Sequence, residues 1–110
     1  HPVYKVDGHD LYMDVPLAPW EAVLGARIQL PTLGGAVEMS IPPGTTAGRK
    51  LRLAKRGLPA GAGSHGDLYA VMHISVPKRP TAREHELYSQ LAAESSFDPR
   101  AQFNAGANKS

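Results

Sequence analysis

The sequence has no cysteine. That excludes a disulfide framework and every thiolate metal site, and it suits a reducing cytosol, although exported proteins without cysteine are common. Long apolar runs are missing too: none approaches the ~20 residues that span a bilayer, and the opening residues are not expected to be a signal peptide. Charge of one sign is scarce, since the net of +2 is too small to point to a polyanion partner by itself. The chain opens on His1-Pro2 rather than Met and is expected to be a piece of something longer.

What is present fits one domain. A length of 110 residues, 42% apolar and 20% charged, matches a globular fold rather than a disordered chain. Ten prolines and eleven glycines require frequent turns, which favours short strands over long helices.

Leu11, Met13 and Val15 alternate with Tyr12 and Asp14, the period of a half-buried strand. Ala18-Pro19-Trp20-Glu21-Ala22-Val23-Leu24-Gly25 then reads as a helix of one to two turns, with proline at its start and glycine at its end. Trp20, inside that helix and between strands, is expected to plug the core. Ala26, Ile28 and Leu30 alternate again, Gly34-Gly35 turns the chain, and Val37, Met39 and Ile41 return it as a hairpin. Pro42-Pro43-Gly44 breaks that strand, and Leu51-Arg52-Leu53-Ala54-Lys55 forms another. After a glycine-rich loop at 57–66, a strand over 67–76 carries Leu68, Ala70, Met72, Ile74 and Val76 on one face. Its other face, with Tyr69, Val71, His73 and Ser75, is mixed, so it is expected to be the most central strand. Pro77 and Pro80 end it.

The last element differs in kind. Thr81 with Glu84 makes a capping box, and Leu87, Tyr88, Leu91 and Ala92 recur at helical spacing to about Glu94. From Ser95 the chain turns polar and irregular, and 105–110 is expected to fray. The expected fold is mainly β: five or six short strands, one short internal helix and a C-terminal helix. The expected boundaries are a β-domain over 1–80, the helix over 81–95 and an irregular tail over 96–110. The apolar stripe of that helix either packs on its own sheet or carries Leu87, Tyr88, Leu91 and Ala92 to a second subunit.

Motifs of catalysis fail on their context. Gly61-Ala62-Gly63-Ser64-His65-Gly66 matches G-x-G-x-x-G, but a strand pattern follows it where a dinucleotide site needs a helix. Gly44-Thr45-Thr46-Ala47-Gly48-Arg49-Lys50 has the wrong spacing for a P-loop and no Ser or Thr after the lysine. His1, His9, His65, His73 and His85 show neither the i, i+4 nor the H-x-H spacing of metal sites. Ser64, His65 and Asp67 are triad types too close along the chain for base-and-orienter geometry. No catalytic, cofactor or metal site is expected, so the chain is not read as an enzyme. One charge feature stands out. No acidic residue lies between Glu38 and Asp67, while Arg49, Lys50, Arg52, Lys55 and Arg56 crowd together. A charge run of this kind is most often only a solvated strand face.

An ordered series of motifs carries a resemblance. It runs His1-Pro2-Val3-Tyr4, Gly8, Asp10-Leu11-Tyr12, Val15-Pro16-Leu17, Ala22, Leu24-Gly25 and Pro31-Thr32-Leu33-Gly34-Gly35. It continues through Ile41-Pro42-Pro43-Gly44-Thr45, Gly48, Leu51-Arg52-Leu53, Lys55, Gly57 and Gly66-Asp67-Leu68-Tyr69. The series resembles the second C-terminal domain of DnaJ-class J-domain co-chaperones, over about residues 1–94. Ser96-Phe97-Asp98-Pro99-Arg100 and Leu17-Ala18-Pro19-Trp20-Glu21-Ala22 resemble its curved-DNA-binding subgroup in particular.

The resemblance implies a β-sandwich of two small sheets, of the DnaJ peptide-binding-domain type, and a C-terminal helix that forms a homodimer through Leu87, Tyr88, Leu91 and Ala92. It implies work with a DnaK-type chaperone on unfolded client proteins in the cytoplasm. The subgroup further implies nucleoid association and nonspecific DNA contact through Arg49, Lys50, Arg52, Lys55 and Arg56. His1-Pro2-Val3 lacks the aspartate of the His-Pro-Asp loop that stimulates the partner ATPase, and the family's main client groove lies in a preceding domain.

Overall fold

A computed structural model of the chain describes residues 4–103. Its elements run β1 (Lys5–Asp7), β2 (Asp10–Leu17), α1 (Pro19–Leu24), β3 (Ala26–Thr32), β4 (Gly35–Ile41), β5 (Lys50–Leu53), β6 (Leu68–Ile74) and α2 (Ala82–Glu94). The chain divides into two units: His1–Pro77 holds the six strands and α1, and Lys78–Ser110 holds α2.

Successive side chains of a strand leave opposite faces of a sheet. In β2 this buries Leu11, Met13, Val15 and Leu17 and leaves Asp14 and Pro16 exposed; β6 repeats the pattern with Leu68, Ala70 and Met72. The two strands lie parallel and in register, Leu11 beside Leu68 through Leu17 beside Ile74. β1 and β5 flank them antiparallel, giving a four-stranded sheet of order β1-β2-β6-β5. β6 is thus an inner strand, as its sequence predicts. β3 and β4 form a separate two-stranded sheet, closed by Leu33 and Gly34, one place earlier than the Gly34-Gly35 pair the sequence suggests. Leu30, Met39 and Ile41 from that hairpin join the buried residues of the larger sheet in one cluster. The result is the expected small β-sandwich with a short internal helix and a C-terminal helix.

α1 ends because the chain supplies partners for its last carbonyls. Gly25, at φ +81°, donates its N–H to Glu21 O, while Gly44 and Thr45 donate to Val23 O and Ala22 O. A Cβ on Gly25 would stand 2.8 Å from Ile41 O, so only glycine fits there. Thr45, buried in this turn, satisfies its hydroxyl on Pro42 O at 2.6 Å.

Two expectations are corrected. Trp20 is 49% exposed and does not plug the core. Ala22 is the residue of α1 that is buried, and two helical positions are ~200° apart, so burying Ala22 turns Trp20 outward. The strand read through Lys55 stops at Leu53, because Lys55 adopts a left-handed backbone, φ +62°, and gives its N–H to Asp67 Oδ1 rather than to a ladder. Residues 101–103 form a helical turn, and the expectation of fraying over 105–110 lies outside the described residues, as do His1, Pro2 and Val3 of the resemblance.

Candidate functional site

Two features of the sequence reading have chemistry to place: the apolar stripe of α2 and the basic cluster around β5. The stripe rests on a well-made helix. Thr81 Oγ1 accepts from Glu84 N–H at 3.1 Å while Glu84 Oε1 accepts from Thr81 N–H at 2.7 Å, a reciprocal capping box. Arg83 and Glu86 pair at 3.0 Å along the helix. Leu87, Tyr88, Leu91 and Ala92 fall on one side at 100° per residue, and no residue of α2 is buried. Leu87 is 47% and Leu91 62% exposed. Beyond the helix, Phe97 and Phe103 are also exposed.

The basic cluster is divided by the fold into three settings. Lys50 and Arg52 alternate with the half-buried Leu51 and Leu53, so both point away from the core. On that face the register sets Tyr12 beside Tyr69 and Tyr69 beside Arg52. The two tyrosine rings stack at 4.9 Å, and the Lys50 Nζ lies 5.6 Å from the Tyr12 ring centroid. Burial, together with the neighbouring Asp7, raises the Tyr12 hydroxyl above its ordinary pKa. Arg52 is engaged: its Nε–H donates to Asp67 Oδ2 at 2.7 Å, which raises the guanidinium pKa. The same contact and, above it, the Lys55 amide hold the Asp67 carboxyl below the usual carboxylate range. Arg49 is exposed, and its backbone carbonyl accepts from Met72 N–H.

Lys55 and Arg56 have left the strand. They stand beside the loop that carries the G-x-G-x-x-G match, which closes on itself through Ala60 N–H to Ser64 O and Ser64 N–H to Gly61 O and then enters β6. Among the described residues, His, Asp and Glu side chains form no group of three that could hold a metal ion, and no helix is long and apolar enough to cross a membrane. The sequence reading missed Tyr12, Tyr69 and Asp67 as members of the basic face. Their strand parity was visible, but joining them needs the parallel register of β2 and β6, which local spacing does not encode.

These features define a small two-sheet β-domain followed by an amphipathic helix with an exposed apolar side. Residues 1–77 match the family described as DnaJ C terminal domain, and the chain belongs to that family. It is 46% identical over 100 residues to a Curved DNA-binding protein of Coxiella burnetii, covering 91% of this chain and 31% of that protein. A Curved DNA-binding protein of Pseudomonas syringae pv. tomato is 44% identical over 103 residues, covering 94% and 33%. One of Salmonella arizonae is 47% identical over 104 residues, covering 94% and 34%. The chain thus spans about a third of the length of these relatives. The family and these names point to chaperones and DNA-binding proteins rather than to enzymes.

Proposed function

We propose that the chain is the scaffold and dimerisation region of a DnaJ-like co-chaperone, which assists folding in the cytoplasm by presenting unfolded clients to a DnaK-type chaperone. The observation that carries this reading is the exposed stripe of Leu87 and Leu91 on a helix with no buried residue. Amphipathic helices of globular proteins ordinarily cover such a stripe. A second copy meeting it across a two-fold axis gives a particle with two arms. Two weak client sites on one particle bind with higher avidity than either alone. Sedimentation equilibrium tests the reading: the chain should dimerise, and truncation before Thr81 should give a monomer. A monomer at concentrations on the order of 100 μM, which means an association free energy weaker than about −5.5 kcal/mol, would overturn it.

A second reading is nonspecific DNA contact in the nucleoid, supported by relatives named for binding curved DNA. Arg49 and Lys50 favour it, because both are exposed and neither has an ion-pair partner among the described residues, whereas Arg52 is already matched by Asp67. Salt-dependent retention of a DNA duplex tests it.

A further inference from the structure

The turn joining β3 to β4 and the loop running from β5 to β6 meet around a cavity of about 320 Å³. Leu33 and Pro59 give it apolar walls, Lys55, Arg56 and His65 also line it, and the Arg56 guanidinium lies against Gly34, 3.6 Å from where a Cβ there would stand. The surrounding backbone is tied down. Leu58 N–H donates to His9 O at 2.8 Å, Gly66 N–H to Leu58 O at 2.9 Å, and Pro59 bridges His65 across the loop. A Cβ on Gly66 would lie 2.1 Å from His9 O, so the loop crosses the turn between β1 and β2 at a distance only glycine permits. Lys55 is fixed by its amide on Asp67, and the left-handed bend there directs the chain away from β5.

The charge at this cavity has no internal answer. Neither the Lys55 nor the Arg56 side chain has a carboxylate within ion-pair distance among the described residues. Asp67, the acid at the end of this loop, is committed to Arg52 and to the Lys55 backbone. Two cations held beside one concave, partly apolar surface attract an anion into it.

We propose that this cavity binds a peptide carboxylate, from an acidic side chain or a chain terminus, whose apolar neighbour packs on Leu33 and Pro59. Arg56 offers the planar fork that matches a carboxylate, and Lys55 adds a second charge-assisted donor. The shape argues against nucleic acid at this spot. A duplex presents a row of phosphates and is met by a row of cations on an open surface, whereas two cations in a cavity answer one anionic group. The volume lies near the low end of ligand sites, which run roughly 300–1,000 Å³, and suits one side chain and its neighbour. Every residue lining the site belongs to the first unit, His1–Pro77, so the proposal makes no use of α2.

Titration of the isotope-labelled chain, followed by amide NMR, tests the proposal with three probes: acetyl-Leu-Glu-amide, acetyl-Leu-Gln-amide and a short DNA duplex. The Glu peptide should shift the amides of residues 55–58 and 65 saturably, with Kd on the order of 1 mM, and the Gln peptide should bind about tenfold more weakly. Arg56→Gln should weaken the Glu peptide about fivefold or more, and Lys55→Gln with Arg56→Gln should abolish the saturable shift. Equal binding of the Gln peptide would overturn the proposal, as would undiminished binding to the Arg56→Gln variant. Shifts at these amides with the duplex and none with the Glu peptide would assign the site to phosphate instead. Should a variant fail to fold, the Glu–Gln comparison on the unaltered chain still decides.

Discussion

Asp67 Oδ2 accepts the Arg52 Nε–H at 2.7 Å while its Oδ1 accepts the Lys55 amide at 3.0 Å, so one carboxylate closes the end of β5 against the start of β6. Its own amide donates to Asp10 Oδ1 at 2.7 Å, which ties in the first residue of β2. The Asp67 side chain is only 18% exposed, against 62% for Arg52. The ion is therefore held mainly by directed donors and only partly by charge across solvent.

This arrangement makes stability depend on acid. The Lys55 amide first, and Arg52 second, lower the Asp67 pKa in the folded state. A depressed carboxyl contributes stability above its unfolded value, ~3.9, and that contribution is lost as pH falls through the folded value. Urea unfolding should therefore show a midpoint that falls on acidification below ~pH 4. Asp67→Asn should begin from a lower midpoint near neutral pH and lose less on acidification. An acid loss that Asp67→Asn leaves unaltered would remove Asp67 from this account.

A contrast between two apolar residues tests the inverted orientation of α1. Met72 is fully buried in β6, and Met72→Ala should cost about 2–5 kcal/mol. Trp20, half exposed, should cost about 1 kcal/mol or less on truncation to alanine. Its fluorescence should be quenched by iodide in the folded chain. A large loss for Trp20→Ala with emission shielded from quencher would restore the core role that the sequence suggests.

Much of the sandwich was legible because its signals are local. Leu11, Met13 and Val15 bury as their alternation predicts, and the Thr81–Glu84 box caps α2 as its spacing predicts. Non-local facts were hidden. The parallel pairing of β2 with β6 joins residues far apart in sequence, such as Tyr12 and Tyr69, and no turn signal marks it. The short edge strand β1 carries no alternation that exceeds noise, since Lys5, Val6 and Asp7 are all exposed. The basic cluster was legible as charge but not as geometry: Asp67 neutralises Arg52, and the bend at Lys55 sends two of its five cations to another surface. Trp20 misled because a size argument ignored which side of a six-residue helix Ala22 must occupy.

Truncating the stripe of α2 gives a graded test of dimerisation. A buried leucine costs about 2–5 kcal/mol on truncation where it packs fully, and a two-fold axis repeats each substitution in both subunits. Leu87→Ala with Leu91→Ala should therefore raise the dimer Kd by about 100-fold or more. The circular dichroism of the helix should persist, because alanine is a good helix former. Substitutions on the opposite side, such as Glu86→Ala, should change Kd by less than about threefold. Equal effects from both sides would point to loss of helix rather than loss of an interface.

The DNA reading separates the cations by their engagement. Each phosphate neutralised by a cation contributes about 0.9 to the slope of log K against log salt concentration. Arg49 and Lys50 are exposed without carboxylate partners among the described residues, although Lys50 also lies over the Tyr12 ring. Arg52 already answers Asp67, so its transfer to a phosphate would leave that half-buried carboxylate uncompensated. Arg49→Gln with Lys50→Gln should therefore lower the slope by about 1–2 and weaken retention most, while Arg52→Gln should change the slope by well under 1. Lys55→Gln with Arg56→Gln, at the carboxylate cavity, should leave DNA retention near the unaltered value. Fluorescence anisotropy of a labelled duplex across a salt series reads all three variants. Equal losses from every substitution would mean a diffuse charge effect, and no retention at low salt by the unaltered chain would end the DNA reading for this region.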